Sequence, residues 1–209
     1  MRSPGSRDPS DPAAHAGDED STRLRVTIRA ARRDDGPALA WIRTASWRAA
    51  YLDIIPARAL ERIARHDASR MARAVAHPRP GHALWLACDH GDTALGYVWL
   101  APQTDRRLPF LGEVIELYLH PQWQHRGIGR QLLVHAIWSA IAMGLQPVML
   151  WVLADNRAAR TFYEGLGGIA VDQRAIELGG RVLQTVAYGW HTLLPLPSLA
   201  DVRGPLASP

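Results

Sequence analysis

The sequence predicts an α/β (α+β) domain, and three features carry that expectation. A strand-like run, Glu113 to His120, stops at Pro121, crosses a glycine-punctuated turn and enters an amphipathic helix. In that helix Ile128, Leu132, Leu133, Ala136, Ile137 and Ala140 recur at three- and four-residue steps, the period of one helical face. Val148 to Leu153 is an unbroken apolar run, the pattern of a strand buried on both faces. Two further strand-like runs, Ile169 to Leu178 and Val182 to Trp190, flank Gly179-Gly180, a strong hairpin signal.

The elements follow in order. Residues 1-22 are rich in Pro, Gly, Ser and Asp, with little to bury, and are expected to form a disordered tail. The domain proper, residues 23-193, opens with a short strand from Val26 to Ala30. Asp34 or Asp35 offers a helix N-cap with Pro37 in the first turn, and Ala38 to Ala50 has a helical apolar face. A second helical piece runs from Pro56 to Ala76, with a break expected near His66-Asp67. The Pro- and Gly-containing stretch from His77 to Gly81 stops it. Ala83 to Cys88 and Ala94 to Ala101 read as strands joined by a turn, Asp89 to Asp92. Gly144 is placed to end the long helix, and Asp155-Asn156 opens a short one through Glu164. Residues 194-209 form a Pro-rich tail expected to be ordered only in part.

Composition narrows the function classes. A 209-residue chain with 47% hydrophobic residues and eight tryptophans can bury a substantial core. All 24 basic residues are arginines, scattered along the chain at a net charge of +4, which argues against nucleic acid. The lone cysteine, Cys88, excludes internal disulfides and suits a reducing compartment. No apolar run is long enough to span a bilayer, and the N-terminal stretch lacks the apolar core of a signal peptide. A cytoplasmic protein with no membrane partner is expected. No metal ligand set is read from the sequence, and a homodimer is left open.

The chemistry gathers around Gln124-His125-Arg126-Gly127-Ile128-Gly129-Arg130. Glycines at the mouth of a helix let backbone amides approach a ligand, and those amides lack intrahelical partners. With the helix dipole and two arginines close by, the segment suits a phosphate or pyrophosphate. A P-loop would need Gly-Lys-Ser/Thr, and Gly129 is followed by Arg130 and Gln131. A dinucleotide fingerprint would need a third spaced glycine, which is absent. What remains is Q/R-x-x-G-x-G/A. A second block lies downstream, Asn156-Arg-Ala-Ala159-Arg-Thr-Phe162-Tyr163-Glu-Gly-Leu166-Gly167, fitting N-x-x-A-x-x-F-Y-x-x-L-G.

These two blocks, in this order and separated by a helix and a strand, resemble the GNAT superfamily of N-acetyltransferases. The resemblance spans about Leu24 to Trp190. It implies a mixed, mostly antiparallel sheet of about seven strands with helices on both faces. It also implies a bulged central strand splaying from the next one, which leaves a slot for acetyl-CoA. The pantetheine arm would add along the backbone of Leu117, Tyr118 and Leu119 like another strand, with an amide near Leu117 polarising the thioester. The pyrophosphate would sit on the amides of Gln124, His125, Arg126, Gly127, Ile128, Gly129 and Arg130. Asn156 would reach pantetheine or cap its helix. Tyr163 would protonate the departing thiolate, or simply pack. Glu113, fourteen residues before Gly127, and Glu116 are the candidate bases, though strand glutamates are often solvated edge residues.

Trp47 and Tyr51, four apart on one helical face, are candidate acceptor contacts as well as ordinary core residues. They lie in a W-R-x-x-Y-x-x-x-x-P run that resembles GNAT enzymes acting on small amines; Asp53 stands where glycine is frequent there. Gly168 replaces an aromatic that often follows Leu-Gly, a change expected to cost packing. The implied activity is acetyl transfer from acetyl-CoA to a primary amine of a small molecule, in a ternary complex. Beside it stand a protein N-terminal or lysine acetyltransferase and a CoA-binding sensor without turnover.

Overall fold

The computed structural model describes residues 25–191, so both predicted tails lie outside the described residues. Its elements are β1 (Thr27–Ala30), α1 (Gly36–Tyr51), α2 (Ala57–Ala76), β2 (Ala83–Cys88), β3 (Ala94–Pro102) and β4 (Gly112–Leu119). They continue with α3 (Ile128–Ala142), β5 (Val148–Leu153), α4 (Arg157–Gly165), β6 (Ile169–Leu178) and β7 (Arg181–Trp190). This is the order read from the sequence. The strands form one seven-stranded sheet in the order β1-β2-β3-β4-β5-β7-β6. All neighbours are antiparallel except β4 and β5, which α3 joins as a crossover.

Alternation along the strands sorts the side chains onto two faces. Leu95, Val98, Leu100, Val114, Val148, Leu150 and Val152 pack with Leu132, Leu133 and Ala136 of α3. On the opposite face Leu86, Cys88 and Tyr97 pack with Leu39, Ile42 and Met71 of α1 and α2. Helices therefore cover both faces. Among the described residues no helix is long and apolar enough to cross a membrane.

Two local expectations are corrected. α2 runs unbroken through His66 and Asp67, because Asp67 is buried and accepts two hydrogen bonds from Arg43 Nη1, at 2.5 and 2.6 Å. A residue that reads as a helix breaker is here held in the helix by an ion pair. Nor does either aspartate cap α1 with its side chain: the Asp35 carboxylate accepts instead from the Arg32 amide and the Arg29 guanidinium.

The central irregularity lies in β4. Val114 pairs with Leu100 and Glu116 with Trp99, which leaves Ile115 as an extra residue, a β-bulge. β4 and β5 pair only at Gly112↔Val148 and Glu113↔Met149. Beyond that point β4 stays on β3 as far as Leu119, while β5 follows β7 as far as Leu153. A wedge opens between them.

In the core, His135 of α3 is 0% exposed, edge-on to Trp85 at 5.0 Å, with no hydrogen-bond partner on either ring nitrogen. Burial pushes its pKa down to about 4. As pH falls from about 6.5 toward 4, the unfolded chain takes up this proton and the folded chain does not. Stability should therefore fall across that window, by roughly 2–4 kcal/mol, and this contribution should level off below it. His135→Leu should remove that component of the acid sensitivity. Urea midpoints of both proteins between pH 4 and 7 would show it as converging curves at high pH and diverging ones at low pH.

Candidate active site

The wedge leaves one edge of β4 without a strand partner after Glu113. Leu117 and Leu119 pack against the α3-side core and Tyr118 against the α1 side. The strand end is pinned, since Ser46 Oγ of α1 donates to the Leu119 carbonyl at 2.6 Å and the His120 amide donates to Leu95 O at 2.9 Å. His120 stacks on Trp41 at 4.0 Å.

Beyond His120 the chain makes a 3-10 turn, Pro121–Trp123, and then an exposed loop. His125 (φ 60°) and Gly127 (φ 77°) both take left-handed conformations there. Gly127 is the N-cap of α3; its left-handed φ favours glycine, while nothing lies within 4 Å of where a Cβ would be, so the space beside it is open. A Cβ on Gly129 would stand 3.3 Å from Leu119 Cδ1 and from Phe162 Cζ, so its absence lets α3 start against β4 and α4. The Ile128 side chain is buried, and only its backbone faces the loop. In the first turn, the amides of Ile128, Gly129 and Arg130 have no carbonyl a turn behind them. Arg126, lying 4.9 Å over Trp123, and Arg130 are exposed cations on either side of the glycines, while Gln124 is exposed at the loop's start. Free amides, glycines and flanking arginines together form a cradle whose chemistry suits a diphosphate.

At the opening, Asn156 does two things. Its Oδ1 accepts from the Ala159 amide at 3.1 Å, capping α4, and its Nδ2 donates to the Tyr51 hydroxyl at 3.2 Å. Tyr51 in turn lies edge-on to Trp47 at 5.2 Å, and the Trp47 ring carries the Arg43 guanidinium at 4.4 Å. Tyr163 is buried among Phe162, Tyr188 and Trp190, with ring centroids 5.3, 6.0 and 6.2 Å away. Burial, and then the neighbouring Tyr51, raise its pKa, which keeps the phenol protonated at neutral pH while making it a weaker acid than a free tyrosine. Gly168 proves to be a packing requirement: a Cβ there would meet the Trp190 ring at 2.8 Å. Trp190 itself donates to the Leu166 carbonyl at 2.9 Å, occupying the space an aromatic at 168 would take.

The two strand carboxylates differ sharply. Glu116 is buried on the α1–α2 face, accepts from Tyr97 Oη at 2.6 Å and is bonded by Arg70. Arg43 Nε lies 3.3 Å away, close in charge though misaligned for a hydrogen bond. Glu113, at the closed end of the wedge, is half-buried and has no ion pair among the described residues. Burial raises its pKa; Arg174 opposes the rise and Asp105 adds to it.

Sequence reasoning missed Arg43, Asp67 and Arg70, which form one network with Glu116 across three elements; partners so far apart in sequence leave no local signal. It also missed Trp151, on the same face of β5 as Met149, and Arg174, whose guanidinium lies 4.0 Å over the Trp151 ring. The tryptophan inside the apolar β5 run was the available clue.

Residues 38–167 match the acetyltransferase (GNAT) family. The chain belongs to that family. As a GNAT acetyltransferase it takes its acyl group from acetyl-CoA, and the wedge and cradle are the places on this chain that suit such a donor. An uncharacterized N-acetyltransferase, YuaI of Bacillus subtilis, is 26% identical over 84% of this chain and 99% of its own length. Mycothiol acetyltransferase of Saccharopolyspora erythraea is 40% identical over 81 residues, which span only 25% of that protein. Among solved structures, the PaiA N-acetyltransferase of Thermoplasma acidophilum, in complex with coenzyme A, has a TM-score of 0.61 at 21% identity. That match covers 78% of this chain and 98% of that one. YncA, a putative acetyltransferase from Salmonella typhimurium with acetyl-CoA, has a TM-score of 0.62 at 21% identity, over 83% and 98% of the two chains. Likeness at this level of identity shows the fold.

Proposed function

We propose that this GNAT acetyltransferase acetylates the primary amine of a small molecule by direct attack within a ternary complex. The observation that carries the reading is the free β4 edge running straight into the glycine cradle of α3. Pantetheine adds along Leu117, Tyr118 and Leu119, and the diphosphate rests on the amides from His125 to Arg130, because the Gln124 amide already donates to the Pro121 carbonyl at 3.2 Å. Asn156, with Oδ1 capping α4 and one Nδ2 hydrogen on Tyr51, has its second Nδ2 hydrogen for the pantetheine arm. The amine lone pair attacks the thioester carbonyl carbon, the oxyanion is stabilised by a β4 amide near Leu117, and the C–S bond breaks. The departing thiolate takes the Tyr163 proton, and Glu113 receives the proton lost by the amine.

Glu113 is preferred to Glu116 for that task because the Glu116 oxygens already serve Arg70 and Tyr97. A half-buried carboxylate with a raised pKa is the stronger base of the two settings. Glu116 instead ties α1, α2 and β3 to the bulged strand. Trp47 and Tyr51 line the acceptor side. Relatives named for N-acetyl transfer support an amine as the acceptor.

The test is free-thiol release from acetyl-CoA against a panel of primary amines. Steady turnover with at least one amine, far above hydrolysis without it, is the expected result. Tight acetyl-CoA binding with no thiol release from any amine, peptide N-termini and lysine peptides included, would make the protein a sensor. Turnover confined to peptides would move the acceptor to proteins.

A further inference from the structure

Glu113 does not stand alone on its face of the sheet. It pairs with Met149 of β5, and two residues further along β5, on the same face, lies the half-buried Trp151. Arg174 reaches over from β6, two strands away in the order β5-β7-β6, and lays its guanidinium 4.0 Å above the Trp151 ring. Its own carbonyl accepts from the buried Thr185 Oγ1 at 2.9 Å, which fixes the strand from which it reaches. A guanidinium held over an indole loses little further freedom when it binds, and its planar fork matches a carboxylate.

Arg174 is exposed, and no carboxylate among the described residues is within ion-pair distance of it. Asp105, whose charge also reaches this patch, is already occupied: Arg107 bonds it through Nε at 2.8 Å and Nη2 at 2.5 Å. The patch thus offers, on one face of the sheet, a carboxylate and an indole-stacked guanidinium that each lack an ion-pair partner among the described residues. A polyamine, cationic throughout, would meet like charge from Arg174. A zwitterion finds a partner for each end.

We infer that the acceptor is an amine that also carries a carboxylate, an amino acid by chemical class, with Glu113 facing its amine and Arg174 holding its carboxylate. This rests on the N-acetyltransferase reading above and narrows it. Removing the acceptor's carboxylate leaves Arg174 with nothing to bond, so the acid should be preferred over its neutral amide.

The experiment compares each protein amino acid that has a primary amine with its own primary amide, by thiol release from acetyl-CoA. For at least one of them the acid should exceed the amide in kcat/KM by about tenfold or more, the scale of a charge-assisted contact. Arg174→Gln should bring that ratio close to one, and Arg174→Lys should restore part of it, since a point charge lacks the fork. A purely structural arginine would lower both rates together and leave the ratio alone. Amides used as well as acids by the wild type, or an acid preference that survives Arg174→Gln, overturns the inference. So does turnover with other primary amines and none with amino acids, an outcome that leaves N-acetyl transfer standing. Failure with every amine, acetyl-CoA still binding, overturns both.

Discussion

Gly129→Glu is expected to abolish measurable coenzyme A binding in a protein that still folds. The position is half-buried at the first turn of α3, where a Cβ would press on the ends of Leu119 and Phe162 at 3.3 Å, a contact that flexible side chains can relieve. The longer glutamate side chain must then enter the cradle, and it puts a negative charge where the diphosphate would lie. Steric overlap and charge repulsion act together, so a loss of at least about a thousandfold, some 4 kcal/mol, is expected. Gly129→Ala is the companion change: it adds the Cβ without the charge and should weaken binding far less. Calorimetric titration with coenzyme A reads both, with circular dichroism to establish the fold. A folded Gly129→Glu protein of unchanged affinity would remove the cradle from the mechanism.

The second large effect belongs to Tyr163→Phe. The ring sits among Phe162, Tyr188 and Trp190, and phenylalanine keeps those contacts, so fold and cofactor affinity should hold. In the proposed mechanism, what is lost is the hydroxyl that protonates the departing thiolate, an interaction made mainly in the transition state. Such losses appear in kcat with little change in ground-state affinity. General acids typically contribute about 10²- to 10⁴-fold, and the fall should lie near the lower end because water replaces part of the function. The measurement is kcat under conditions where added viscogen leaves the rate unchanged, so that chemistry limits turnover. Full activity there would return Tyr163 to the role of a packed aromatic at the end of α4.

The fold was legible because its punctuation is local. Pro121 ends β4, Gly127 sits in a conformation that favours glycine, and Gly179 and Gly180 both take positive φ in the last hairpin. The β5 run announced a doubly buried strand. The turn into α3 was legible for the same reason, its backbone conformation being set by consecutive residues. The rest depends on partners far apart in sequence. Asn156 and Tyr51 are 105 residues apart, and Arg70 and Glu116 are 46 apart. No periodicity encodes such pairs. Asp67 was misread because helix propensity is a weak preference that one buried ion pair with Arg43 overrides. Arg174 was invisible until the sheet order brought β6 within reach of β5.

Ile115 separates what the chain needs for folding from what it needs for binding. Val114 and Leu117 face the α3 side and Glu116 the α1–α2 side, which is the plain alternation they would show with Ile115 absent. The bulge is thus an insertion that leaves the interior of the protein unaltered; its own side chain is exposed. What it adds is curvature, bending β4 away from β5. Deleting it would keep every buried side chain on its own face and straighten the strand toward its neighbour. A residue at 115 therefore bears on the width of the wedge and leaves the packing of the core unchanged.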